Sequence, residues 1–117
     1  MEPIRSFSEL IEGLTEMVER TEGAPERIDG TFRLIERALA GAEDLELGRF
    51  VPGKRSYARH LIHRDPQERF TLLGLVWRPG QGTPVHDHPS WGVVGVIRNR
   101  MKFVNYLLDD EEATSRL

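Results

Sequence analysis

The hydrophobic pattern changes period near Tyr57, and that change constrains the fold more than any other feature of this 117-residue chain. Before it, apolar residues recur at helical spacing. Phe7, Leu10, Ile11, Leu14, Met17 and Val18 form one stripe, and Ile28, Phe32, Ile35 and Leu39 form a second. Each stripe predicts an amphipathic helix that buries those residues in a core. Ser6 and Glu9 have the spacing of a capping box at the start of the first helix, and Gly23 is placed to end it. Pro25 suits the first turn of the second helix, where a missing N–H is no loss, and Gly41 can stop it.

Beyond Tyr57 the chain is rich in aromatic and branched residues over 57–62, 70–77, 91–98 and 101–107. Turn-formers separate these stretches: Asp65-Pro66, Pro79-Gly80-Gln81-Gly82 and Asn99-Arg100. The stretch 70–77 is apolar on both faces, with Leu72 and Val76 on one side and Leu73, Leu75 and Trp77 on the other. A strand of that kind is covered on both sides. Short turns favour antiparallel pairing. The expectation is a mainly β, α+β domain, an antiparallel barrel or sandwich under an N-terminal helical cap. Residues 1–48 form the helical region and 49–117 the partial barrel of one structural domain.

Composition excludes several classes. A formal net charge of -3 with no Lys/Arg cluster argues against nucleic acid as a partner. Arg98, Arg100 and Lys102 alternate as the solvated face of a strand would. Without cysteine the chain has no disulfide, no thiolate metal site and no cysteine nucleophile. No stretch approaches the roughly 18 apolar residues of a membrane span, and the charged, amphipathic N-terminus lacks the apolar run of a secretion signal. A cytoplasmic protein with no membrane or nucleic-acid partner is the expectation.

The chemistry lies in Pro84-Val85-His86-Asp87-His88, between a glycine-rich turn and a strand-like segment. Side chains at i and i+2 of an extended chain point to one side, so the two imidazoles can converge on one metal ion while Asp87 faces away. A neutral imidazole suits iron, zinc, copper and nickel alike. The acidic run 109–112 reads as a solvated tail or turn.

The segment 57–106 resembles the cupin fold and, within it, the thiol dioxygenases of the cysteine and mercaptopropionate type. The resemblance rests on four stretches: Tyr57-Ala58-Arg59; 70–77; Gly80-Gln81-Gly82-Thr83-Pro84-Val85-His86-Asp87-His88; and Trp91-Gly92-Val93-Val94-Gly95-Val96. Gly92 or Val93 stands where most cupins carry a Glu ligand, a departure that favours thiol dioxygenases, whose iron is held by three histidines. Asn99 replaces the closing Gly of the motif and tolerates the left-handed conformation a turn there needs. The resemblance implies a partial cupin barrel, an Fe(II) cofactor with His86 and His88 as ligands, and a small thiol carboxylate and O2 as substrates. A sulfinic acid would be the product. It also implies Arg59 as the clamp for the substrate carboxylate, a task that suits a planar donor fork. Tyr57 either supports that clamp or fills the barrel mouth.

The family's third histidine and its Ser-His-Tyr relay lie further downstream than this sequence extends. Only His60 and His63 remain as substitutes, and simple alternation from Arg59 places His63 on its face and His60 on the other. Four or five strands do not close a barrel, so an unpaired edge near Leu107 is expected to invite a homodimer. The chain is expected to be a truncated product or a protomer of such a dimer. Three readings follow: an iron-dependent thiol dioxygenase, whose activity as an isolated chain is in question; a non-catalytic cupin remnant that binds a small carboxylate or a partner protein; and a different cupin enzyme, against which the missing Glu and Tyr57-Ala58-Arg59 count.

Overall fold

A computed structural model describes residues 1–86, 88 and 90–104. Two helices open the chain, α1 (Phe7–Arg20) and α2 (Ala24–Ala40). Two single-turn 3₁₀ segments follow, Ala42–Asp44 and Leu47–Arg49, and then an antiparallel hairpin of β1 (Ala58–Arg64) and β2 (Thr71–Val76). The architecture is α+β.

Ser6 caps α1 as its spacing predicts, its Oγ accepting from the Glu9 N–H at 3.1 Å. The return bond of the box is shifted by one residue, because Glu9 Oε1 accepts from the Arg5 N–H. At the other end Arg27, in the first turns of α2, donates to the carbonyls of Val18 and Thr21. One guanidinium thus satisfies acceptors that the end of a helix leaves open.

Helix α2 is rotated from the expected orientation. Leu34 and Ala38 are its buried residues, while Phe32 is 54% exposed and Ile28 and Leu39 are each 38% exposed. The reason is steric. Gly30, Leu34, Ala38 and Gly41 share one face, and their small members let α2 approach closely: a Cβ on Gly30 would collide with the Met17 side chain. Close approach there outweighs burial of the bulkier stripe. Gly41 faces Ile4 so tightly that a Cβ would strike the Ile4 carbonyl. The Ile4 N–H in turn donates to the Arg37 carbonyl at 2.9 Å, which pins the N-terminal arm to α2.

Ile4, Leu10, Leu14, Leu34 and Ala38 form the core, and Phe7, Met17, Ile35, Phe70 and Leu72 pack against it. Phe50 joins the helices to the hairpin, edge-on to Phe7 at 5.6 Å and tilted against His60 at 5.4 Å. Gly74 makes room for it, since a Cβ there would lie 3.0 Å from the Phe50 ring.

Among the described residues the sheet has two strands and is unclosed. Helices of 14 and 17 residues outweigh strands of 7 and 6, so the described residues are not mainly β and show no barrel. The expected strand over 91–98 is absent from the ladder. Gly92 and Gly95 interrupt this stretch and weaken it as a strand. Gly95 lies instead against Ile35 and Leu39 of α2, where a Cβ would clash. Asn99 has φ 62, the left-handed conformation expected of it. The rest of the stretch expected as a strand over 101–107, and the acidic run 109–112, lie outside the described residues. No helix of the described residues is long and apolar enough to cross a membrane.

Candidate metal centre

Two features position the histidine pair. Arg78-Pro79-Gly80-Gln81 is a tight turn: the Gln81 N–H donates to the Arg78 carbonyl at 3.0 Å, and Gly80 has φ 84. Proline second and a positive-φ glycine third is the requirement of a type II turn. Gln81 ties it down, its Oε1 accepting from the Arg78 N–H at 2.7 Å and its Nε2 donating to the Gly53 carbonyl. From there the chain runs to His86 and His88, both exposed. Their ring centroids are 4.7 Å apart with the planes tilted by 55°, so the spacing does bring the imidazoles side by side. Nδ1 of His86 lies 2.8 Å from the Pro84 carbonyl oxygen. A carbonyl only accepts, so Nδ1 carries a proton, and in the neutral ring Nε2 then keeps its lone pair. That arrangement is how a ligating imidazole is usually oriented. Asp87 lies outside the described residues.

Arg59 and Tyr57 lie at one end of the β1–β2 hairpin. In the β1–β2 register Arg59 faces Leu75 and Leu61 faces Leu73, all on the outward, exposed side. One step further along the register Tyr57 meets Trp77, and the two rings stack at 4.2 Å and 13°. The stack occupies one face of the Tyr57 ring and anchors this end of the hairpin. No hydrogen bond or ion pair among the described residues joins Arg59 to the histidine pair.

His63 does not share the face of Arg59. The register runs from Leu61↔Leu73 directly to His63↔Leu72, so Ile62 is an extra residue, a β-bulge. The bulge breaks the two-residue alternation, and His63 turns to the helix side, where its ring lies 5.7 Å from Phe70. His60 is also on that side, its Nε2 2.9 Å from the Val51 carbonyl and its ring on Phe50. The expectation that His63 points with Arg59 and His60 away is therefore corrected for His63. Among the described residues no group of three or more His, Cys, Asp or Glu comes together. Two imidazoles fall short of the three-nitrogen iron centre that the resemblance implies.

A charged pair that the sequence reading passed over closes the hairpin. Asp65 is 1% exposed and accepts from the Arg69 backbone N–H at 3.0 Å, from its Nε at 2.7 Å and from its Nη2 at 3.1 Å. The Arg69 side chain, through its hydrogen bonds, holds the Asp65 carboxyl down to about 2, with His63 adding in the same direction. The same contact raises Arg69. Glu68, at φ 57, turns the chain so that Arg69 comes back onto Asp65. The spacing of four residues across Asp65-Pro66 was the available signal.

No family model matches the chain, and no solved structure matches it.

Proposed function

We propose that the chain belongs to the iron-dependent thiol dioxygenases, with cysteine or a similar small thiol acid as substrate. The overall conversion is R–SH + O2 → R–SO2H, in which both oxygen atoms end on the sulfur. The observation that supports this reading best is the exposed His86–His88 pair, with its rings side by side and the His86 Nε2 lone pair directed away from the Pro84 carbonyl. Arg59, exposed on the outward face of the hairpin, would hold the substrate carboxylate through its donor fork. Tyr57, stacked on Trp77, would wall that face. A third nitrogen must come from outside the described residues, and we expect the isolated chain to turn over slowly or not at all for that reason.

A second reading is favoured by the open outward face: a non-catalytic domain that binds a small carboxylate at Arg59 or a partner protein on Leu61, Leu73 and Leu75. Iron content and thiol-dependent O2 uptake, measured on the purified chain with cysteine and mercaptopropionate side by side, separate the two. Retained iron with sulfinate in the product, both lost in His86→Ala, supports the dioxygenase. Carboxylate binding that needs Arg59, without iron retention or O2 uptake, supports the second reading and sinks the first.

A further inference from the structure

Among the described residues, no third His, Cys, Asp or Glu joins the histidine pair. Both rings are exposed and adjacent, with centroids 4.7 Å apart. The Pro84 carbonyl, 2.8 Å from Nδ1, selects the neutral His86 tautomer in which Nε2 offers its lone pair to a metal. An ion held by two imidazoles keeps the rest of its coordination sphere in water, and among the described residues nothing stands ready to complete it.

A two-fold axis through the ion would bring up the same pair from a second copy. Homodimers are most often built on such an axis, which makes the interface self-complementary. Four neutral imidazole nitrogens make a tetrahedral set, the preference of zinc. The surroundings suit such a contact: Val85, beside His86, is 73% exposed, and Trp91, three residues beyond His88, is 40% exposed. Each chain carries a net charge of -3, so a divalent cation between two copies offsets part of their mutual repulsion.

We propose that two copies of the chain share one zinc ion through their His86–His88 pairs, forming a metal-linked dimer. The proposal rests on the reading of these two residues as metal ligands. It adds the ligand source, the stoichiometry and a consequence: four protein nitrogens leave no position open, so the linked form does not consume thiol and O2.

The test is a zinc titration of the metal-stripped full chain, followed by light scattering on a sizing column and by metal analysis. The expected result is a doubling of the mass from 13.4 kDa, complete at one zinc per two chains and reversed by a chelator. His86→Ala and His88→Ala should each stay monomeric at the same zinc concentration, with unchanged helical circular dichroism. His63→Ala, altered beside Phe70 on the inward face of the hairpin, should dimerise like the parent. Cobalt(II) in place of zinc should give the intense visible bands of a tetrahedral site. One zinc per chain without a change in mass overturns the shared ion but leaves the ligand reading standing. No zinc uptake overturns both. A dimer that forms without zinc, or that persists in His86→Ala, overturns the proposal and assigns association to another surface.

Discussion

The two faces of the β1–β2 hairpin are made of the same strands and meet opposite fates. The inward face carries His60, His63, Leu72 and Gly74, and it packs on Phe50, Phe70 and the helical core. The outward face carries Arg59, Leu61, Leu73 and Leu75, and its leucines remain 52%, 36% and 41% exposed. The outward face is the richer in leucine, so apolar character does not decide which side is covered. What decides is the neighbour: two helices and Phe50 lie against one side, and no further strand or helix of the described residues lies against the other. A two-stranded ribbon is marginal in water without such support. Stability should therefore be concentrated beneath the inward face, and substitutions can probe that asymmetry directly.

The largest loss is expected in the core that carries the inward face. Leu14 is 3% exposed at the centre of the α1–α2 contact. Leu14→Ala removes buried methyl groups and leaves a cavity, which typically destabilises by about 2–5 kcal/mol. Urea denaturation followed by circular dichroism would show it as a large fall in midpoint. A shift no greater than that of a surface substitution would mean the helices do not form the core.

The ion pair that closes the hairpin comes next. Asp65→Asn removes the charge from three hydrogen bonds and leaves Arg69 facing an amide. The urea midpoint should fall, by less than in Leu14→Ala because Arg69 can relax toward solvent. The pH dependence has a definite sign. The carboxyl sits at about 2 in the folded chain against an ordinary 3.8, so its contribution is fully present above 3.8 and is lost as pH falls through about 2. The Asn variant should lack this component of the acid transition, and an unchanged acid profile would remove Asp65 from the account.

Much of the helical half was legible in the sequence, because its signals are local. Ser6, Gly23, Pro25 and Gly41 mark the ends of α1 and α2 to within a residue or two. The turn at Pro79-Gly80 and the left-handed Asn99 are of the same kind, set by the φ preferences of single residues. The rotation of α2 was not legible. Hydrophobicity singles out Ile28, Phe32 and Leu39, whereas the packed face is chosen by the closeness that Gly30 and Ala38 permit against α1. The bulge at Ile62 was hidden too, since its residue is an ordinary strand former and only the partner strand reveals the extra position. That single residue decided which face His63 takes. At the candidate site, the spacing of His86 and His88 was enough to bring the rings together, but nothing local tells an isolated pair from part of a larger ligand set.

A third substitution tests the tightness of the inward face itself. Gly74 lies across from His60 and under the Phe50 ring. Gly74→Val adds branched bulk where a Cβ alone would be 3.0 Å from an aromatic carbon. Overpacking of this kind costs typically 1–3 kcal/mol, in spite of the better strand propensity of valine. Displacement of Phe50 should also show as a changed environment of the His60 ring protons in NMR spectra.

The smallest effect on stability is expected on the outward face, and it sharpens the contrast most. Leu61 is 52% exposed and sits opposite Leu73, with Arg59 two residues away on the same side. Leu61→Ser therefore removes little buried surface, and the unfolding midpoint should move by no more than about 0.5 kcal/mol in free-energy terms. Its effect should appear instead in the capture of apolar molecules, because a contiguous exposed apolar strip is an adhesive surface. Binding of a fluorescent apolar dye to the folded, metal-free protein should be weaker for Leu61→Ser than for the parent chain. A loss of stability comparable to that of Gly74→Val would mean that the outward face is covered in solution, and the asymmetry between the two faces would disappear.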